Sequence, residues 1–99
     1  MAQHADAATL IFPAVNDAAL AYLNAARNRG ERVVCAASVA NEDMAAAAGT
    51  LYRLPSIHDA DFVAQFFALA DAHAIARVLC PVSTVHAFMV RLLAQHPGL

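Results

Sequence analysis

Short polar side chains follow apolar, strand-like runs at three places in this sequence, and loops after strands are where α/β domains hold their ligands. Amide, hydroxyl and imidazole groups can bind a small substrate by hydrogen bonds, and an imidazole can also move a proton near neutral pH. We take six of them as the candidate substrate-binding residues and assign none a catalytic role. They are Asn16, Asp17, Ser38, Ser83, Thr84 and His86.

Most of these residues also have a simpler interpretation as helix caps. Asn16 or Asp17 can supply the side-chain oxygen that begins a helix, and Ser83 and Thr84 can do the same for the last helix. For these four residues capping is the favoured interpretation. A single histidine such as His86 is more often an exposed polar residue than a catalytic base.

The sequence lacks the residues that several kinds of chemistry require. The chain contains no lysine, which excludes a P-loop lysine, a Schiff-base lysine and a lysine that clamps ATP phosphates within it. No serine stands in a G-x-S-x-G turn, and Asp17 and Asp43 do not fit the acidic positions of a phosphoacceptor domain. We therefore expect no activity from this chain alone.

Cofactor and metal sites are not expected either. The first loop, residues 13–18, has no glycine, so its side chains would keep a pyrophosphate away from the backbone and tight NAD or FAD binding is not predicted. The histidines share no spacing that suits a metal. Cys35 and Cys80 lie in separate apolar runs without C-x-x-C spacing, which favours two buried thiols over a redox or metal pair.

The composition limits the class of partner. The net charge is −2 with six scattered arginines, so no basic surface for nucleic acid or an anionic membrane is predicted. The chain is 61% hydrophobic, which indicates a folded domain, but no apolar run reaches the length of a membrane span. The first residues lack the basic segment of a signal peptide, and a cytoplasmic location is the default expectation.

Alternating elements position the candidate residues. Apolar runs predict strands at 9–15, 33–37, 50–54 and 76–82, and helices are predicted to begin near residues 17, 42, 60 and 83. Gly30 and Gly49 are expected to end the first two helices. Residues 1–8 are interpreted as a disordered lead-in, and residues 9–99 as a single domain.

Four strands that alternate with four helices predict an α/β fold, a three-layer αβα sandwich with a Rossmann-like parallel sheet. We predict the strand order 3-2-1-4. The third strand should lie at an edge because Pro55 follows it, and the order reverses between the first and fourth strands. Ligands of such sheets bind beyond the carboxyl ends of the strands at that reversal, so His58 and Asp59 are expected to lie away from the site, with Asp59 as a helix cap.

The order of elements and a few loop residues resemble a known family. The turn with Asn16, the segment 27–32 and the strand that runs into Cys35-Ala36-Ala37-Ser38 resemble the opening of ATP-grasp ligases. Residues 49–55, residues 58–62 and the strand that ends in Cys80-Pro81-Val82-Ser83 continue the likeness to the pre-ATP-grasp domain of biotin carboxylase and carbamoyl-phosphate synthase. The resemblance covers residues 9 to about 95. The first loop departs from it, because relatives often carry glycine there.

The resemblance implies a non-catalytic amino-terminal domain that shapes the substrate side of a carboxylate–amine ligase. Its partners would be the ATP-grasp domains of the same parent chain, and ATP and magnesium would bind only in those following domains. The loops 14–17 and 82–86 would approach the substrate. Two alternatives stay open: a free-standing αβα interaction module that forms a homodimer, and a Rossmann-like domain that binds a small metabolite or nucleotide.

Overall fold

The structure is a computed structural model that describes residues 7–95. Strands and helices alternate along these residues without exception. The strands are β1 (Ala8–Ile11), β2 (Arg32–Ala37), β3 (Leu51–Arg53) and β4 (Ile75–Leu79). The helices are α1 (Asp17–Asn28), α2 (Glu42–Ala48), α3 (Phe62–His73) and α4 (Ser83–Ala94).

The four strands form one parallel sheet in the order β3-β2-β1-β4, which confirms the predicted fold class and strand order. In the central strand, Ile11 pairs with Cys35 on one side and with Leu79 on the other. β1 begins at the buried Ala8, inside the segment interpreted as a lead-in, whose residues 1–6 lie outside the described part of the chain. It ends before Pro13, which has no N–H to offer a neighbouring strand.

The two faces of the sheet are covered by different kinds of side chain. α3 and α4 pack on one face through a large cluster that includes Phe62, Phe66 and Met89. α1 and α2 pack on the other through a smaller cluster, in which Leu23 and Met44 are joined by Ile11, two buried alanines and a cysteine. Small residues let helices approach the sheet closely but bury little area each, and the α3–α4 layer covers the larger of the two clusters of buried apolar residues.

The helix ends agree with those predicted from the sequence in the first half of the chain and differ from them in the second. Asn16 and Asn41 cap α1 and α2, each through its side-chain oxygen, and Gly49 ends α2 with a φ of 86°. α4 instead begins after Val82, and α3 after Asp61, neither with a side-chain cap. The capping role predicted for Ser83 and Thr84 is therefore wrong, because both residues already lie inside the first turn of α4.

The expected cap at Asp59 is also displaced. Its side-chain oxygen Oδ1 accepts a hydrogen bond of 2.8 Å from the N–H of Asp61, within the turn that precedes α3. The carboxylate thus stabilises the approach to the helix and leaves the first turn itself uncapped.

At the end of the sheet where the strands begin, Glu31 connects three elements. Its carboxylate accepts hydrogen bonds from Thr9 at 2.9 Å, from Arg77 at 2.7 Å and from Arg29 at 2.5 Å. The hydrogen bond from Arg29, followed by that from Thr9, holds the pKa of the Glu31 carboxyl below its ordinary value of 4.5. The charged form of Glu31 is therefore favoured by folding.

Glu31→Gln is expected to lower the free energy of unfolding at about pH 7 and to have a smaller effect at about pH 3. Because the folded-state pKa lies below the unfolded-state value, the carboxylate contributes stability above 4.5, and this contribution is lost as the pH falls through the folded-state pKa. Urea denaturation at the two pH values measures the difference. Glu42→Gln is the matched control, since the exposed Glu42 has no ion pair within residues 7–95; an equal pH dependence in both variants would contradict the assignment.

Candidate functional site

The carboxyl ends of all four strands open onto one cavity, which we call the four-loop cleft. Its volume is about 290 Å³. Each loop that follows a strand contributes to its lining, and the contributors include Phe12, Val15, Ser38, Val39, His58 and Thr84. The cleft thus lies where a parallel sheet of this topology places its ligands, with hydroxyl groups and one imidazole among apolar walls.

A second cavity, the two-helix pocket, lies between the beginnings of α1 and α2 and has a volume of about 420 Å³. Leu20 and Met44 supply apolar lining, and Asp17 and Asp43 supply carboxylates. Asn16 also lines this pocket, but its side chain is engaged: Oδ1 accepts from the N–H of Ala19 at 2.9 Å, and Nδ2 donates to the carbonyl of Pro81 at 3.4 Å. Asn16 therefore both caps α1 and joins the first loop to the loop after β4.

The six candidate residues separate into three groups. Ser38 and Thr84 line the four-loop cleft, whereas Asn16 and Asp17 line the two-helix pocket. Ser83 and His86 line neither cavity and are exposed on α4. The structure thus brings Ser38 and Thr84 to one cavity and leaves the other four candidates outside it.

His58 joins the cleft, contrary to the expectation that it would lie away from the site. The hydroxyl of Ser38 donates a 2.9 Å hydrogen bond to the carbonyl of Pro55, and Arg53 donates to the carbonyl of Ser38 at 2.9 Å. These two bonds hold the loop after β3 against the end of β2. A usable signal was present in the sequence, since the carboxyl ends of parallel strands share one edge and Ser56-Ile57-His58 follows β3 directly.

The end of the molecule that contains the cleft is acidic. Five carboxylates stand at or just before the beginnings of the helices, where they complement the positive ends of the helix dipoles. They are Asp17, Glu42, Asp43, Asp59 and Asp61. Arg53 is the one arginine at the carboxyl end of a described strand, so this end favours neutral or cationic ligands over phosphates.

The two thiols are poor nucleophiles. Burial raises the pKa of Cys80 to about 11 and also raises the pKa of Cys35. Both sulfurs are therefore protonated at neutral pH. The reactive form of cysteine is the thiolate, so neither residue suits covalent chemistry.

Comparisons of the chain with models of known protein families, with curated proteins and with solved structures each found no match. Within residues 7–95, no three side chains of His, Cys, Asp or Glu converge to hold a metal ion. No helix in that range combines the length and the apolar character needed to cross a membrane. The residues of the four-loop cleft are therefore the guide to its chemistry.

Proposed function

We propose that this chain is the non-catalytic amino-terminal domain of an ATP-grasp carboxylate–amine ligase, and that the four-loop cleft shapes the substrate side of that enzyme's active site. The observation that supports the proposal is the composition of the cleft. Ser38, His58 and Thr84 line it as hydrogen-bonding groups, and no hydrogen bond among the described residues joins a nucleophile to a base there. Such a cleft can orient a substrate and leave the reaction to other groups.

Thr84 is the residue best placed to contact a ligand. It lies in the uncapped first turn of α4, and no hydrogen bond within residues 7–95 occupies its hydroxyl. Ser38 is less available, because its hydroxyl proton is donated to Pro55. A volume of about 290 Å³ suits a small substrate and is too small for a dinucleotide, and the carboxylates at this end of the molecule favour the amine substrate over the acid.

The rim of the cleft suits a covering domain. Val39 is 61% exposed beside the cleft, and Leu20 is 37% exposed on α1 beside the two-helix pocket. Apolar side chains at such positions gain stability when another surface covers them. In the proposed enzyme, domains that follow in the parent chain cover this rim and supply ATP, magnesium and the lysine that contacts the phosphates.

The test begins with the reading frame of the native message beyond the codon for Leu99. We expect the frame to encode a lysine-bearing ATP-binding domain with paired acidic residues. The full-length protein should then form ADP from ATP when supplied with the right acid and amine. In that protein, Thr84→Val should raise the KM of the acid or amine by about tenfold, the effect of losing one good hydrogen bond, while the KM of ATP stays unchanged.

Ser83→Ala is the matched control, because it removes a neighbouring hydroxyl of the same helix that lines neither cavity. We expect this variant to keep both KM values. A frame that stops after Leu99 would contradict the proposal, and so would a Thr84→Val enzyme in which the KM of ATP rises with that of the other substrate.

A further inference from the structure

β4 lies at one edge of the sheet, and its outer side pairs with no strand of the described chain. On its inner side, Val78 pairs with Leu10, and the carbonyl of Leu79 accepts a 3.1 Å hydrogen bond from the N–H of Phe12. Because successive residues of a strand direct their backbone groups to opposite sides, the N–H and C=O of Val78 point away from the sheet. Cys80 has the same orientation, and its backbone makes no hydrogen bond within the described residues. We call this outer side the β4 edge.

The β4 edge is better suited to strand pairing than the opposite edge of the sheet. β3 contains three residues, and Pro55 follows it closely. β4 contains five residues and is about 17 Å long. Its register on β1 is irregular only near its beginning, between the partners Ala8 and Thr9. The regular part of the β4 edge therefore includes the outward backbone groups of Val78 and continues to Cys80.

Apolar surface lies beside the β4 edge, on the side of the sheet that α1 covers. α1 packs mainly over β1 and β2, and Leu79 of β4 is half-buried at the margin of that layer. Tyr22 of α1 is 40% exposed. It lies two turns before Arg29, on the same flank of the helix, and Arg29 is linked through Glu31 to Arg77 of β4. Tyr22 is therefore on the flank of α1 that faces β4, near the level of Leu79.

The charge of Arg77 does not oppose a neighbouring strand. Its guanidinium donates a 2.7 Å hydrogen bond to the carboxylate of Glu31, which directly precedes β2. The head group is thus turned inward across the sheet and is paired within its own chain. The aliphatic part of the Arg77 side chain remains at the β4 edge, where it can contact an apolar side chain.

We propose that the β4 edge binds the β4 edge of a second copy, antiparallel to it, about a twofold axis that passes beside Val78. Val78 then faces Val78 of the other copy, and two N–H···O=C bonds join them. The N–H of Cys80 reaches the carbonyl of Ala76 in the other copy. Leu79 stands opposite the stem of Arg77 at a position without hydrogen bonds, where cross-strand side chains are closest. Each contact occurs twice, and the two sheets join into one of eight strands.

The residues of β4 favour this register over its neighbours. A twofold axis beside Arg77 would set Arg77 directly opposite itself, and facing like charges are destabilising in a sheet. An axis beside Cys80 would extend the pairing beyond the end of β4 and include Pro81, which has no N–H. The axis beside Val78 avoids both and uses the outward groups of Val78 and Cys80. The strand is therefore complementary to itself in one register.

The short edge predicts a weak dimer. Two strands of about 17 Å bury less than the roughly 800 Å² that each partner buries in a standard interface. We expect a dissociation constant of about 10⁻⁵ to 10⁻⁴ M. The four-loop cleft opens at the carboxyl ends of the strands rather than along the edge, so the dimer leaves it accessible, and the inference is independent of the proposed ligase function.

Sedimentation equilibrium from about 10 µM to about 1 mM tests for the dimer, and amide hydrogen exchange locates it. The average mass should rise from 10.4 kDa toward twice that value as the concentration increases. Over the same range, exchange at the N–H groups of Val78 and Cys80 should become slower. Arg53 provides the internal control: the N–H of Leu54 is bonded inward to Ala37, so that of Arg53 points outward at the β3 edge and should exchange at an unchanged rate.

Two variants of Leu79 test the register. Leu79→Lys places a cation opposite Arg77 of the other copy at two positions and should weaken association by about tenfold. Leu79→Glu removes the same side chain but places an anion opposite Arg77, so it should associate at least ten times more tightly than Leu79→Lys. Leu51→Lys is the matched control, since Leu51 is also a half-buried leucine at the margin of the α1–α2 layer but lies on the β3 edge; its dissociation constant should not change.

Three results would overturn the proposal. One is a chain that stays monomeric at about 1 mM. Another is equal weakening by Leu79→Lys and Leu79→Glu, because the two charges differ only in their interaction with Arg77 of the other copy. The third is a dimer that Leu79→Lys leaves intact and Leu51→Lys abolishes, which would place the contact on the β3 edge.

Discussion

Phe62→Ala is expected to lower the free energy of unfolding by about 3–5 kcal/mol, which places it among the largest effects of a single truncation within residues 7–95. The Phe62 ring is fully buried and is in contact with three other rings. Its centroid lies 5.5 Å from that of Phe12, 5.7 Å from that of Phe88 and 5.8 Å from that of Phe66. Removal of the ring leaves a cavity between the sheet and both helices of the α3–α4 layer, and these elements cannot all close it at once.

The expected loss is a large part of the total stability, because the free energy of unfolding of a domain of 99 residues is about 5–15 kcal/mol. Urea denaturation should show a midpoint lower by about 2 M. Tyr22→Ala is the control: it also truncates an aromatic side chain in a helix, but Tyr22 is 40% exposed, and we expect a change of less than about 1 kcal/mol. A loss of less than about 1 kcal/mol for Phe62→Ala as well would show that Phe62 does not anchor the core.

The sequence contained most of the information on the fold. Apolar runs of strand length alternate with longer segments of helical period, and only a parallel sheet accommodates that order with connections of a few residues. Pro55 after the third strand and the two helix-ending glycines, Gly30 and Gly49, are local signals that need no tertiary context, and the structure agrees with all three. The strand order could be predicted because alternating elements require parallel strands and Pro55 places the third strand at an edge.

The starts of the last two helices could not be predicted, because they depend on packing. Ser83 and Thr84 have the residue types of a cap, yet the helix begins after Val82. Val85, Met89 and Leu92 must reach the aromatic cluster, and this requirement places Ser83 and Thr84 inside the first turn. Intrinsic capping preferences of about 1 kcal/mol are smaller than the burial of such side chains, so the packing decides the boundary.

The residues that meet in the four-loop cleft could likewise not be predicted from local patterns of residue types alone. The position of Thr84 follows from topology, since it stands after the strand beside the reversal of strand order. The topology also places the loop with His58 at the same edge of the sheet, but how closely that loop approaches the cleft depends on the hydrogen bond from Ser38 to Pro55, which joins residues 17 positions apart. No pattern of residue types in the sequence predicts that hydrogen bond. Loops between elements are therefore the part of this molecule for which the sequence was least informative.

Leu23→Ala is expected to lower the free energy of unfolding by about 2–5 kcal/mol, the second large effect. Leu23 is fully buried and is the largest buried side chain of α1, in a cluster where Ala14, Ala19 and Cys35 are too short to fill the space that its truncation would leave. Leu20→Ala is the matched control, since it makes the same truncation one turn earlier at a position 37% exposed and should cost less than about 1 kcal/mol. Thermal and urea unfolding of both variants measure the contrast. A loss of less than about 1 kcal/mol for Leu23→Ala as well would mean that α1 is held by its caps and strand connections rather than by Leu23.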